Sequence, residues 1–148
     1  MNLLAASVAS ATLVLLGALH VYWASGGAWP ARDPSALATF VLGSNRDRMP
    51  PRLLTLCIAL VLFAFASLPL AHALAPTTLS PRAMVAGLYA VAAVFVLRGL
   101  AGFFEQRIQP SPAHWPYVRL NKQLYSPLCL ALAERIVELA LVGIVKRR

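Results

Sequence analysis

Apolar residues fill four stretches of the chain, and polar residues gather between them. The stretches run approximately over residues 3–24, 53–74, 83–104 and 124–145. Each is about 22 residues, or about 33 Å of helix, against a hydrocarbon core of roughly 30 Å. Lipid offers no partner for backbone N–H and C=O groups, so such segments must be helical if they span. The pattern predicts an all-α integral membrane four-helix bundle, one transmembrane domain over residues 1–148. The first stretch lacks the basic start of a signal peptide. Its apolar part also exceeds the usual roughly 7–15 residues, so it reads as a span. Pro69 predicts a kink in the second span, or its end. Small residues in "AASVASA", "AVAAV" and "GLAG" permit close helix approach, or reflect plain alanine-rich composition.

The intervening segments are unequal. Residues 25–52 and 105–123 form two longer loops on one face, and the short loop 75–82 shares the other face with both termini. Within the first loop, "DPSALATFVLGSN" carries helix punctuation: Asp33 as a cap, Pro34 in the first turn and Gly43 as a stop. It is too short to span and predicts an interfacial helix.

Composition supports this picture. The chain is 59% hydrophobic and 12% charged, with mean hydropathy +0.71, whereas a soluble domain carries about a quarter charged residues. The net charge of +8 is distributed between and after apolar runs, as in membrane proteins, and the pattern argues against nucleic-acid binding. Arg32, Arg46, Arg48, Arg52, Arg107, Arg119 and Lys122 fall on the long-loop face. Arg82, Lys146, Arg147 and Arg148 fall on the other. This asymmetry predicts cytoplasmic long loops and external termini in a plasma membrane, although the compact "KRR" tail argues the other way.

Aromatic residues are also one-sided. Tyr22, Trp23, Trp29, Trp115, Tyr117 and Tyr125 belong to the long-loop face, and only Tyr89 does not. The cluster reads as a cap over the bundle mouth or as interfacial anchoring. In "ALHVYWASGGAWP", Gly26 and Gly27 suggest a hinge that folds Trp29 and Pro30 back over that mouth.

Ionisable groups inside apolar spans are costly and need partners. Arg98 lies in the third span. Glu134, Arg135 and Glu138 lie in the fourth, where Arg135 and Glu138 are spaced to touch. The depths allow Arg98 to join them in a charge-compensated network. That network would fix helix register, form a ligand or proton site, or face a partner's membrane helix. His20 lies about one turn inside the first span, as a packing residue or a functional one. Cys57 and Cys129 have no metal-site spacing and pack as small apolar residues or, more sharply, form a redox pair. No cofactor is implied and no histidine combination has metal-site spacing. At the last span, "LNKQLYSPLCL" places Ser126 as a cap ahead of Pro127, with Asn121 and Tyr125 near the depth of His20, Tyr22 and Trp23.

Two segments, "HVYWASGGAWP" and "RLNKQLYSPLCLAL", resemble an uncharacterised family of small four-span bacterial membrane proteins classed as a domain of unknown function. The shared positions are His20, Tyr22, Trp23, Gly26, Gly27, Trp29, Pro30, Arg98 and residues 124–129. The resemblance implies a four-helix integral membrane protein and brings no activity or cofactor. Family members often have an acidic residue where this chain has Asn121, and Glu134, Arg135 and Glu138 lie outside the pattern.

The expected function is binding, in a polar vestibule at the long-loop face, of a small anionic or lipid-like ligand or of a membrane partner. The candidate lining is His20, Tyr22, Trp23, Trp29, Arg98, Asn121, Tyr125 and Ser126. One rival is a membrane-embedded enzyme with His20 as acid–base and Arg98 as electrophile. Another is an oligomeric transporter or channel subunit.

Overall fold

The computed structural model describes residues 2–42, 48–74, 80–108 and 110–145. Four long helices carry the architecture: α1 (Asn2–Ala24), α3 (Arg52–Leu74), α4 (Pro81–Ile108) and α6 (Ser126–Val145). Two short ones, α2 (Pro34–Val41) and α5 (Pro116–Leu120), lie in the longer loops. The described residues contain no strand. Three helices (α1, α3 and α4) are long and apolar enough to cross a membrane; α6 carries three charges in its middle turns.

Local chemistry sets the helix ends. Asp33 Oδ1 accepts from the Ala36 N–H at 2.8 Å, and Pro34 follows in the first turn, as expected of an N-cap. The expected stop at Gly43 lies outside the described residues. Ser80 and Pro81 repeat the device at the start of α4, where Ser80 Oγ accepts from the Ala83 N–H at 3.2 Å. In α3 the helix continues past Pro69 to Leu74, so this proline does not end it.

The Gly26–Gly27 pair is a lock rather than a hinge. The Gly27 N–H donates to the Tyr22 carbonyl at 2.9 Å, and the Gly26 N–H to the Trp23 carbonyl at 3.0 Å. Gly26 has φ +103°. This is the Schellman arrangement, which satisfies the last carbonyls of a helix and requires a left-handed residue. A Cβ on Gly27 would strike the Tyr22 ring.

The start of α6 also differs from expectation. Ser126 has helical dihedrals of −68° and −46° and is not an N-cap. The chain is already helical from Pro116, passing through α5 and a wide π turn at Asn121–Tyr125. Pro127 cannot donate to a preceding carbonyl, and its ring crowds the carbonyl four residues back. The π turn directly ahead opens the helix at that place, and the Ser126 N–H donates to the Asn121 carbonyl instead.

The long helices pack as two intimate pairs, α1 with α3 and α4 with α6. The pairs meet through α1–α6, α3–α4 and α3–α6. Core side chains include Leu13, Leu62, Leu88, Val91, Phe95, Leu132 and Ile136, with Ala9, Ala66, Ala92, Ala133 and Ala140 between them. Small residues are thus placed at helix contacts. A Cβ on Gly17 would approach the Phe63 ring to 2.8 Å, and one on Gly99 would approach Leu130 to 2.7 Å. Large apolar side chains such as Leu4, Leu15 and Leu97 point outward, as expected of helices whose solvent is lipid.

Candidate functional site

The long-loop face holds two separate polar sites. The first is built on one face of α4. Arg98, Gly102 and Glu105 recur at the i, i+4 and i+7 spacing of a helix stripe, and α5 with the π turn folds against it. Arg98 Nη2 donates to the Tyr117 hydroxyl at 3.3 Å and to Asn121 Oδ1 at 3.2 Å. The Tyr117 hydroxyl in turn donates to Glu105 Oε2. Asn121 Nδ2 donates to the Gly102 carbonyl at 2.7 Å and to Glu105 Oε2 at 3.3 Å. Ser126 Oγ donates to Asn121 Oδ1 at 3.3 Å.

Asn121 thereby uses both donors and both acceptor positions of its amide, and it is 2% exposed. Arg98 and Glu105 are joined through two neutral relays, Tyr117 and Asn121, and their charges cancel. Burial, with the Glu105 carboxylate as next cause, pushes the Tyr117 phenol well above its ordinary 10.0, Arg98 opposing. The phenol therefore stays a donor to Glu105. Gly102 makes room for the cluster: a Cβ there would collide with Ser126 Oγ and approach Arg98 Nη1 to 2.8 Å and Asn121 Oδ1 to 2.9 Å. Tyr125 lies beside the cluster, its ring 6.1 Å from that of Tyr117, and its hydroxyl donates to the Phe40 carbonyl of α2 at 3.1 Å.

The second site gathers at the end of α1. The His20 and Trp23 rings are 5.1 Å apart, His20 Nδ1 lies 2.8 Å from the Leu16 carbonyl of its own helix, and Trp23 Nε1 donates to the Trp29 carbonyl at 2.8 Å. Beside Trp23 is an open cleft of about 400 Å³, lined by Gly26, Gly27, Pro34, Ser35, Arg48, Met49, Pro50, Arg52 and Thr55 as well. Among the described residues, two arginines and no carboxylate line it. The Arg52 guanidinium comes close to Gly26 at the C-terminus of α1, where a cation suits the negative end of the helix.

The structure brings Arg98, Asn121 and Ser126 together with Tyr125 beside them, and it groups His20, Tyr22 and Trp23 at the other site. No hydrogen bond or ring contact joins the two sets among the described residues. The ring of Trp29 does not close the mouth: Trp29 is 65% exposed. The anticipated network of Arg98 with Glu134, Arg135 and Glu138 is also corrected. Arg98 turns to Glu105 through its relays, because Glu134, Arg135 and Glu138 sit on the outer face of α6, opposite its buried Leu132, Ile136 and Leu139. Arg135 pairs with Glu138 at 2.9 Å. Cys57 and Cys129 are both free thiols. The sequence marks Tyr117 only as one of the one-sided aromatics and does not single out Glu105. Glu105 was discoverable as the acid two turns from Arg98 on one face; nothing local marks Tyr117 as its relay.

An all-α bundle with long apolar helices, outward-facing apolar side chains and polar sites at one end belongs to the class of membrane-associated helical proteins. Residues 13–135 match a family model described as "Protein of unknown function (DUF3995)", and the chain belongs to that family. No curated protein and no solved structure matches it.

Proposed function

We propose that this is a multi-pass bacterial inner-membrane protein that binds an anionic headgroup, of a lipid or of a small lipid-like molecule, in the Arg48–Arg52 cleft. The observation that carries the reading is the cleft itself: open, about 400 Å³, with two arginines, Trp23 and, among the described residues, no acid in its lining. An indole beside cationic side chains at the end of a long apolar helix suits a ligand that is charged at one end and greasy at the other. Arg98, in the candidate lining read from sequence, already serves Tyr117 and Asn121 with its guanidinium. In this reading α6 is a fourth span packed along α4, and the long loops face the cytoplasm, following the excess of Lys and Arg there. The enzyme alternative gains no support, since the His20 contacts are with Leu16 and Trp23 rather than with the Arg98 cluster.

The test is lipid binding by the purified chain in nanodiscs of mixed zwitterionic and anionic phospholipid, read by native mass spectrometry. Each arginine near a membrane surface is worth about 1 kcal/mol toward anionic lipid, so Arg48→Gln with Arg52→Gln should weaken retention roughly 30-fold. Equal retention of anionic and zwitterionic lipid by the unaltered chain, or no change in the double variant, would rule the cleft out.

A further inference from the structure

The outer face of α6 presents a charge pattern that the described fold leaves without a neighbour. Ala131, Glu134, Arg135 and Glu138 are all exposed. The Arg135–Glu138 pair is itself about half exposed, at 56% and 49%. The other long helices present mainly Leu, Val, Ile and Phe outward, and the exposed Arg98 of α4 is held by Tyr117 and Asn121. Resting on the reading of α6 as a membrane span, this face would put two carboxylates and a guanidinium against hydrocarbon, where charges are strongly disfavoured.

The arrangement is self-complementary. Successive residues of an α-helix are turned by about 100°. Relative to a centre line through Ala131, Glu134 lies on one flank, Arg135 lies on the other, and Glu138 lies near the line. In a two-fold pair of parallel helices, one flank of each helix opposes the other flank of its mate. Glu134 of one copy then meets Arg135 of the second, on both sides of the axis. Arg135 keeps its own Glu138 while doing so, since a guanidinium has five N–H donors. The small Ala131 side chain at the centre lets the helices approach closely. We infer that α6 is the contact helix of a parallel two-fold dimer in the membrane, held by reciprocal Glu134–Arg135 pairs between two copies of this chain.

The experiment uses the full chain in native-like membranes with Cys57→Ala and Cys129→Ala as background, and Ala131→Cys as a cross-linking site. Ala93→Cys, exposed on α4, is the control. Oxidation should give a disulfide-linked dimer at residue 131 and not at residue 93. Arg135→Glu should weaken dimerisation roughly tenfold or more, as loss of interhelical polar contacts does in membranes. Inverting every sign (Glu134→Arg, Arg135→Glu and Glu138→Arg together) should restore the cross-link, because the pattern remains self-complementary. Absence of the wild-type cross-link, or its persistence in Arg135→Glu, would overturn the dimer. A water-soluble thiol reagent separates membrane placement of α6 from dimerisation. Rapid labelling of Ala131→Cys would overturn the membrane placement of α6 and the inference with it. Protection from labelling without cross-linking would overturn the dimer alone.

Discussion

Asn121 is the residue on which the Arg98 cluster turns. Its carbonyl oxygen accepts from Arg98 and Ser126 while its amide donates to the Gly102 carbonyl and Glu105. An acid at this position would keep the two acceptor contacts and lose both donors. Asn121→Asp therefore sets a carboxylate against the Glu105 carboxylate and removes the side-chain donor to the Gly102 carbonyl. The expected cost is about 1–3 kcal/mol, the penalty of unsatisfied buried polar groups, seen as a lower thermal midpoint in detergent. Glu105→Gln in the same chain should recover most of it. The added amide can donate to the new carboxylate, and Arg98 then has its counter-charge at 121. A double-mutant cycle reads this coupling directly. If the second substitution adds to the loss instead of reversing it, Glu105 and Asn121 do not act as one unit.

At the scale of elements, the α4–α6 contact depends on glycine spacing. Gly102 lets Ser126, Arg98 and Asn121 converge over bare backbone. Gly102→Ala should destabilise by about 1–3 kcal/mol, the usual cost of forcing extra volume into a packed contact. Gly87, whose added Cβ would meet only Leu68 at an ordinary 3.5 Å, is the matched control. Gly87→Ala should be neutral, or stabilising by up to about 1 kcal/mol through helix propensity. Equal effects at the two positions would remove the steric argument. These elements show what the sequence could and could not convey. The long helices were legible because lipid leaves no alternative for the backbone, and Asp33–Pro34 announced α2 because capping is local chemistry. The end of α1 reads as a hinge from sequence because two glycines allow either a hinge or a Schellman lock, and the deciding bonds to Tyr22 and Trp23 are visible only in three dimensions. Ser126–Pro127 looked like a helix start for the same reason. A serine before a proline caps a helix that begins there, as at Ser80, but here the chain arrives already wound. Arg98 was recognised as needing compensation, and the acid was sought on another helix when it lay two turns away on its own.

The molecule as a whole separates its polar interests by location. The Arg98 cluster is neutral and internally hydrogen-bonded and holds α5 and the π turn against α4. The Arg48–Arg52 cleft is open and cationic and lies among α1, α2 and α3. The outer face of α6 is charged and turned away from both. This division fits a protein whose first helical pair carries a binding site and whose second carries a contact surface. The pairing has a further consequence. Since α1 packs chiefly on α3, and α4 chiefly on α6, each half of the chain buries much of its helix surface within itself. In bilayers, helices that are stable on insertion can associate afterwards by packing. A gene divided between the codons for residues 77 and 78 should then yield two separately translated fragments that recombine in the membrane. Tagging one half and recovering the other in equal amount would show that α1–α3 and α4–α6 are autonomous building blocks, joined in one reading frame but not dependent on it.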